Sequence, residues 1–134
     1  MRKSPELQAV AEQAMHDQMT RGVEATLEIT SREPGFLNIG TAPGEWFSSF
    51  AEFEQAARAA GASGGIPPFE NQQIDAYEEG TVGWGSVRGD LKLPSGATVQ
   101  IRQTFIVHQE GGGWKVVQSH SSVAIPDEQL MNIR

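Results

Sequence analysis

The feature that most constrains the fold of this chain lies in its last third. A strand-like segment, residues 102–107, is followed by three consecutive glycines, and the chain returns as a second strand-like segment, residues 114–122. Two such segments around a glycine turn are typical of an antiparallel β-hairpin. Four polar residues occupy alternating positions on its arms: Arg102, Thr104, His120 and Ser122.

The hairpin is the end of a longer series of predicted strands. Turn residues at Gly80, at Pro94-Ser95-Gly96 and at Gly111-Gly112-Gly113 divide the second half of the chain. The predicted strands cover residues 70–78, 81–93, 97–109 and 114–125. Because helical segments precede this run of antiparallel strands, the pattern predicts an α+β domain.

Two helices are predicted in the first half. Ser4-Pro5-Glu6 is a typical helix start, and apolar residues then recur at three- and four-residue steps from Leu7 to Met19 before Gly22. A capping box, Ser49 to Glu52, predicts a second helix that ends at Gly61. A loop is expected over residues 62–68.

One segment is ambiguous from the residues alone. Residues 23–30 alternate apolar and polar side chains, which favours a strand. They lie between the first helix and the stop signal Arg32-Glu33-Pro34-Gly35. Residues 36–39 form a short strand candidate.

The composition is that of one ordinary folded domain, residues 1–134. The net charge of −7 and the scattered basic residues make nucleic-acid binding unexpected. No apolar stretch could cross a bilayer, and no apolar segment of a secretory signal follows the basic start, so a cytoplasmic location is expected. The absence of cysteine excludes disulfides and thiolate chemistry.

The hairpin loop decides which side chains meet. A three-residue glycine loop pairs Glu110 with Trp114, so that Thr104 lies opposite His120 and Arg102 opposite Ser122. Directly opposed side chains on one sheet face lie about 5 Å apart. A loop of two or four residues would place the two pairs on opposite faces.

The same reasoning extends the polar face across the sheet. A turn centred on Ser95 places Arg88 opposite Arg102, where like charges repel unless a carboxylate such as Asp90, or a ligand, lies between them; otherwise the register is shifted by one step. A turn at Glu79-Gly80 adds further residues to this face. The predicted polar wall is Asp75, Tyr77, Trp84, Ser86, Arg88, Arg102, Thr104, His120 and Ser122.

The opposite face of the predicted sheet is apolar. It carries Val99, Ile101, Phe105, Val107, Val117 and Val123. Since two such faces cannot both meet water, helices are expected to cover one face and a second subunit the other. The alternation thus predicts a homodimer through the sheet.

These segments resemble a known family. The resemblance rests on residues 37–46 (LNIGTAPGEW), residues 79–84 (EGTVGW), the Arg102-x-Thr104 pair, residues 114–117 (WKVV) and the His120-x-Ser122 pair. Together they are similar to the SnoaL-like branch of the nuclear transport factor 2-like (NTF2-like) superfamily, over about residues 7–125.

The resemblance implies a cone in which a curved antiparallel sheet wraps around N-terminal helices and encloses a pocket. It also implies frequent dimerisation through the sheet and a helix at residues 23–31. Relatives include ketosteroid isomerases, polyketide cyclases, dehydratases, epoxide hydrolases and non-catalytic binding or assembly modules. The fold does not choose among them.

Enzymes of that group rely on an acidic base, often with tyrosine or a second acid as hydrogen-bond donor. Asp75 with Tyr77, or Asp90, are the corresponding candidates here, although none matches an established catalytic motif. His120 is a candidate acid or base because histidine titrates near neutral pH. A buried histidine bonded to Thr104 or Ser122 is the alternative.

Other residues are candidates for binding a ligand. Trp46, Tyr77 and Trp84 offer flat walls, Arg102 offers a forked donor for a carboxylate or phosphate, and the remaining candidates are Thr104, His120 and Ser122. The three histidines lack metal-ligand spacing, so neither a metal nor a cofactor is expected.

Three functions are consistent with the sequence. The first is a pocket for a small hydrophobic ligand between sheet and helices. The second is a cofactor-free isomerase, cyclase or dehydratase with an acid–base pair in the cone. The third is a non-catalytic dimerisation module whose cone is filled by its own side chains.

Overall fold

The computed structural model describes residues 1–62 and 69–133. The described helices are α1 (Pro5–Arg21), α2 (Val23–Glu28), α3 (Phe50–Ala62) and α4 (Asp127–Met131). The described strands are β1 (Arg2–Lys3), β2 (Leu37–Ile39), β3 (Trp46–Phe47), β4 (Phe69–Glu79), β5 (Val82–Lys92), β6 (Thr98–Glu110) and β7 (Gly113–Val123). Apart from residue 62, the loop predicted over residues 62–68 lies outside the described residues.

The start of α1 forms as predicted. Ser4 is the N-cap, its hydroxyl accepts a hydrogen bond from the Leu7 amide at 3.0 Å, and a proline follows at the first helical position. The Ser4 amide also donates to the Ala76 carbonyl at 2.9 Å. The cap therefore fixes the first turn of α1 to β4 as well as beginning the helix.

One prediction about the helices is wrong, and one ambiguous segment proves to be helical. The helix α3 begins after Ser49, whose hydroxyl accepts from the Glu52 amide, but it continues through Gly61 to Ala62, so Gly61 is not its cap. Residues 23–28 form a helix, as the resemblance implied and against the period-two pattern. Tertiary packing explains the outcome, because Ala25 and Leu27 are both buried in this helix.

The strands form one curved, unclosed sheet in the order β1-β4-β5-β6-β7-β2-β3. The neighbours in this order are antiparallel, except that β2 runs parallel to β7. The predicted α+β architecture, with N-terminal helices packed in a curved antiparallel sheet, is confirmed.

The hairpin register is as predicted, but its loop is not. Glu110 pairs with Gly113 rather than with Trp114, around a two-residue turn of Gly111 and Gly112. Both turn glycines have positive φ, 59° and 84°, which suits a tight two-residue hairpin turn.

A β-bulge compensates for the shorter turn. Ile106 pairs with Gln118 and Val107 with Val116, which leaves Val117 as the extra residue. Thr104 consequently lies opposite His120 and Arg102 opposite Ser122. Val116, and not Val117, occupies the paired position beside Val107 on the apolar face.

The helix α1 covers one face of the sheet, called the inner face from here on. Leu7, Ala76 and Val107 form the centre of the core, with Phe105, Trp114 and Val116 packed around them. The opposite face is called the outer face. Among the described residues, no helix is long and apolar enough to cross a membrane.

Candidate functional site

The outer face presents the predicted polar wall as ordered rows across four strands. The first row is Gln73, Arg88, Arg102 and Ser122. The second row is Asp75, Ser86, Thr104 and His120. The third row is Tyr77, Trp84, Ile106 and Gln118. Every cross-strand pair predicted for the wall between β5, β6 and β7 is therefore present.

The turn before β5 differs by one residue from the expectation. Glu79 pairs with Val82, so the turn consists of Gly80 and Thr81 and not of Glu79 and Gly80. When the turn moves by one residue, the pairing partner of each β4 residue changes by two positions. Tyr77 therefore stays on the same face and lies directly opposite Trp84. Their rings stack at 6.5 Å between centroids with an interplanar angle of 16°.

Charged side chains of this face form hydrogen bonds with neutral partners. Arg88 Nε donates to Gln73 Oε1 at 2.6 Å, and Arg102 Nε donates to Ser122 Oγ at 3.2 Å. Asp90, which was expected near the arginines, accepts from the Asn71 side chain at 3.0 Å.

The remaining candidates are also on this face. His120 is exposed, so the alternative of a buried histidine does not apply. The second row continues from His120 through Ile39 of β2 to Trp46 of β3, whose side chain is 62% exposed. The structure thus brings the predicted binding residues onto one surface.

A cavity lies on the other side of the sheet. It has a volume of about 80 Å³ and is lined by α1, the segment after α2 and the inner faces of β5, β6 and β7. Its lining consists of Leu7, Val10, Ala11, Ala14, Met15, Gln18, Ile29, Val87, Gln103, Phe105, Val107, Trp114, Val116 and Ser119. None of the predicted catalytic or binding residues belongs to it.

The chemistry of this cavity is apolar and uncharged. Within the described chain its lining contains no titratable side chain, and its polar side-chain groups are those of Gln18, Gln103 and Ser119 and the indole N–H of Trp114. Gln103 Nε2 donates to the buried Ser119 hydroxyl at 2.8 Å, which leaves the Gln103 side-chain carbonyl as an acceptor. Such a cavity can bind an apolar molecule and offer it a polar contact.

Sequence reasoning identified the elements that build the cavity but not the cavity. The apolar stripe of α1, which includes Leu7, Ala11 and Ala14, was visible as a helical periodicity. Phe105 and Val107 were visible as members of the apolar sheet face. The missing inference was that α1 lies against this face and leaves a gap beside Trp114.

A buried charge lies near the start of α1, outside the cavity. Glu78 is 8% exposed, its carboxylate accepts from the Ser4 hydroxyl at 2.5 Å, and it pairs with Arg2. The Ser4 hydrogen bond, and after it the Arg2 charge, hold the pKa of Glu78 below its ordinary value, against the opposing effect of desolvation. These contacts give Glu78 a structural role at the joint between α1 and β4.

Comparison with protein families gives one match over nearly the whole chain. The family model for the SnoaL-like domain matches residues 7–126. No curated protein matches the sequence.

Solved structures with the same fold have low sequence identity. An NTF2-like protein of unknown function from Pseudomonas putida is 12% identical, with a TM-score of 0.73 over 95% of this chain and 93% of that one. An NTF2-like protein of unknown function from Shewanella oneidensis is 16% identical, with a TM-score of 0.63 over 89% and 99%. A de novo designed protein with a curved β-sheet is 13% identical, with a TM-score of 0.61 over 85% and 97%. At these identities the likeness concerns the fold alone.

Proposed function

The chain belongs to the SnoaL-like domain family, and we propose that it binds a small apolar molecule in the cavity between α1 and the inner face of the sheet. The observation that carries this proposal is the uncharged, mainly apolar lining. Binding pockets for small molecules are typically apolar with a few polar groups that fix orientation. Gln103 and Ser119 would supply those groups.

The size and accessibility of the cavity support the same function. A water molecule needs roughly 10–15 Å³ of such space, so the cavity of about 80 Å³ has room for a small organic molecule. Val10 in its lining is 39% exposed, and we expect a ligand to enter the cavity beside this residue. Apolar cavities of this kind bind apolar guests readily.

Trp114 provides an internal reporter of binding. It lines the cavity, whereas Trp46 and Trp84 lie on the outer face and can be replaced with phenylalanine. We expect the emission of Trp114 in the W46F/W84F variant to change saturably on titration with straight-chain alcohols from hexan-1-ol to decan-1-ol. These probes carry no charge, do not absorb where tryptophan is excited, and have a single hydroxyl group for hydrogen bonding.

Two alanines on the same helix give a matched pair of variants. Ala14 lines the cavity, whereas Ala9 is exposed to solvent. In the W46F/W84F background, Ala14→Leu should fill the cavity and weaken alcohol binding by roughly tenfold, the equivalent of about 1.4 kcal/mol. Ala9→Leu should leave it unchanged. Equal affinities in the two variants, or an emission change that does not saturate, would contradict the proposal.

The outer face favours a second proposal, a homodimer through the sheet. Tyr77, Val82 and Ile106 are 38%, 39% and 37% exposed around Trp84 and form an apolar patch at one end of this face. Exposed apolar patches of this kind mark protein interfaces. A second copy covering the patch would remove these side chains from water.

Light scattering after size-exclusion chromatography tests the dimer. Ile106→Lys should give a monomer, because it places a charge within the patch, directly opposite Trp84. Thr98→Lys, at the far end of the same strand and also exposed, should keep the mass of the parent protein. A monomeric parent protein would refute this proposal without affecting the first one.

The cytoplasmic location and any catalytic activity stay predictions from the sequence.

A further inference from the structure

Two arginines on the outer face lie side by side. Arg88 of β5 and Arg102 of β6 are direct cross-strand neighbours. Neither forms an ion pair with any carboxylate in residues 1–62 and 69–133, although the chain has 17 acidic and 10 basic residues. Like charges in directly opposed positions destabilise a sheet. An anion between the two guanidinium groups would reduce this repulsion.

The hydrogen bonds of the two arginines leave most of their donors available. Each uses its Nε to reach a neutral oxygen, that of Gln73 for Arg88 and that of Ser122 for Arg102. The two acceptors lie on the flanking strands, β4 and β7. The terminal nitrogens of both guanidinium groups are not used by these bonds and can serve an oxyanion between β5 and β6, with the forked geometry that suits carboxylate and phosphate.

The next row adds neutral donors beside the arginines. Ser86 and Thr104 occupy the directly opposed positions two residues along the same strands. Both lie on the outer face and are exposed, so their hydroxyls are accessible to the same ligand. The two arginines and the two hydroxyl residues form a polar square, with one arginine and one hydroxyl residue on each strand.

The two nearby carboxylates do not fill this square. Asp90 accepts from Asn71, and Asp75, diagonal to Arg88 across β4 and β5, makes no ion pair with either arginine in the described structure. Both carboxylates would reduce the affinity for an anion. Their positions predict that removal of the Asp75 charge strengthens binding.

We propose that Arg88 and Arg102, with Ser86 and Thr104, bind one oxyanion of a small molecule, a carboxylate or a phosphate group, on the outer face. This site and the cavity lie on opposite faces of the sheet and share no residue. Either can therefore exist without the other. The outer-face site gives the chain an anion specificity that its net charge of −7 would not suggest.

The side-chain Nε–H signals of the arginines in nitrogen-15 NMR spectra test the site directly. The full chain is titrated with inorganic phosphate and, separately, with acetate, each at constant ionic strength maintained with chloride. Saturable shifts confined to Arg88 and Arg102 are expected with at least one anion, while Arg21 and Arg58, which are held by carboxylates, should not move. Saturation with phosphate alone, with acetate alone or with both identifies the class of ligand. Non-saturable shifts, or equal shifts of all arginines, would overturn the proposal.

Charge-matched variants separate a site from a general charge effect. Arg88→Gln and Arg102→Gln should each weaken anion binding by roughly tenfold or more, as expected for lost bonds to a charged group. Lys92→Gln removes the same charge farther along β5 and should leave the affinity unchanged. Asp75→Asn should raise it. All four side chains are exposed, so the variants should stay folded. An equal loss in K92Q would refute the site.

The same titration on the Ile106→Lys variant separates a small ligand from a second copy of the chain. We expect this variant to bind the anion at least as tightly as the parent protein, because the added lysine is positively charged. Anion binding that occurs in I106K but not in the parent protein would mean that a carboxylate of a second copy occupies the arginines, and it would overturn the small-molecule site. The mass of both proteins is measured in the same buffers.

Discussion

Replacing Gly85 with alanine would place a methyl group where the inner face of the sheet has no room. A Cβ atom at this position would lie 2.5 Å from the backbone oxygen of Asp75 and 2.5 Å from Cζ of Phe105. Atoms in favourable contact are about 3.5–4.0 Å apart, so both neighbours have to retreat by about 1 Å. The Phe105 ring can tilt, but the Asp75 oxygen belongs to the backbone of β4.

The expected loss of stability follows from this geometry. Overpacking of a core costs about 1–3 kcal/mol, and movement of a backbone atom places Gly85 in the upper part of that range. Alanine recovers about 0.5–1 kcal/mol because glycine loses more conformational entropy on folding. The net loss is about 2 kcal/mol. With an unfolding entropy of about 2.1 cal/mol/K per residue, it lowers the Tm of the 134-residue chain by about 7 °C.

Thermal unfolding followed by circular dichroism, with two comparison variants, measures this effect. Ser86→Ala changes the next residue, which is exposed on the outer face, and should shift the unfolding free energy by less than about 0.5 kcal/mol. Gly83→Ala should cost less than Gly85→Ala, because its Cβ would first meet a side-chain methyl group of Leu7, at 2.6 Å, and its nearest backbone atom, the Tyr77 oxygen, is 3.2 Å away. A Tm for Gly85→Ala within about 2 °C of the parent would refute the packing described for β5.

Three further predictions concern Ser4, Glu78 and His120. Ser4→Ala removes the cap of α1 and the hydrogen bond to the buried Glu78 carboxylate, and should cost at least about 1 kcal/mol in urea unfolding, whereas Ser48→Ala, at an exposed position, should cost nothing measurable; equal values would argue against both contacts. Because the pKa of Glu78 is lowered in the folded state, its stabilising contribution is fully present above the ordinary value of 4.5 and is lost as the pH falls below it. Glu78→Gln should therefore flatten the acid side of a stability–pH curve, and an unchanged curve would exclude Glu78 as its source. His120→Gln should change the unfolding free energy by less than about 0.5 kcal/mol, since His120 is exposed; a larger loss would show that His120 has a structural role.

The pairing of the strands was predictable from the sequence because alternation and turn residues constrain it strongly. The loop length was not, and the reason is physical. The turn of Gly111 and Gly112 is one residue shorter than the predicted loop, and the bulge at Val117 adds one residue to β7. The strand pairing beyond the bulge is therefore the predicted one. No residue type marks this bulge, so the correct register came from two errors of one residue that cancel.

The position of the cavity was harder to predict, because alternation shows which residues share a face but not which face the helices cover. A signal was nevertheless present in β5. Gly83, Gly85 and Gly89 all point to the inner face, where each missing Cβ leaves space for Leu7, Phe105 or Phe69. Glycines repeated on one face of a strand indicate close approach of another element. This pattern identifies the covered face without any structure.

The enzyme alternative depends on how the outer face is covered. Proton transfer of the kind implied by the resemblance needs an ionisable group held in an apolar environment. Within the described chain the cavity lining offers none, and the candidates Asp75, Tyr77 and His120 are exposed. A second copy over the outer face would enclose them. We therefore expect any isomerase or dehydratase turnover to disappear in the monomeric Ile106→Lys variant while alcohol binding in the cavity persists. Turnover that survives in that monomer would show that the acid–base groups act without the sheet interface.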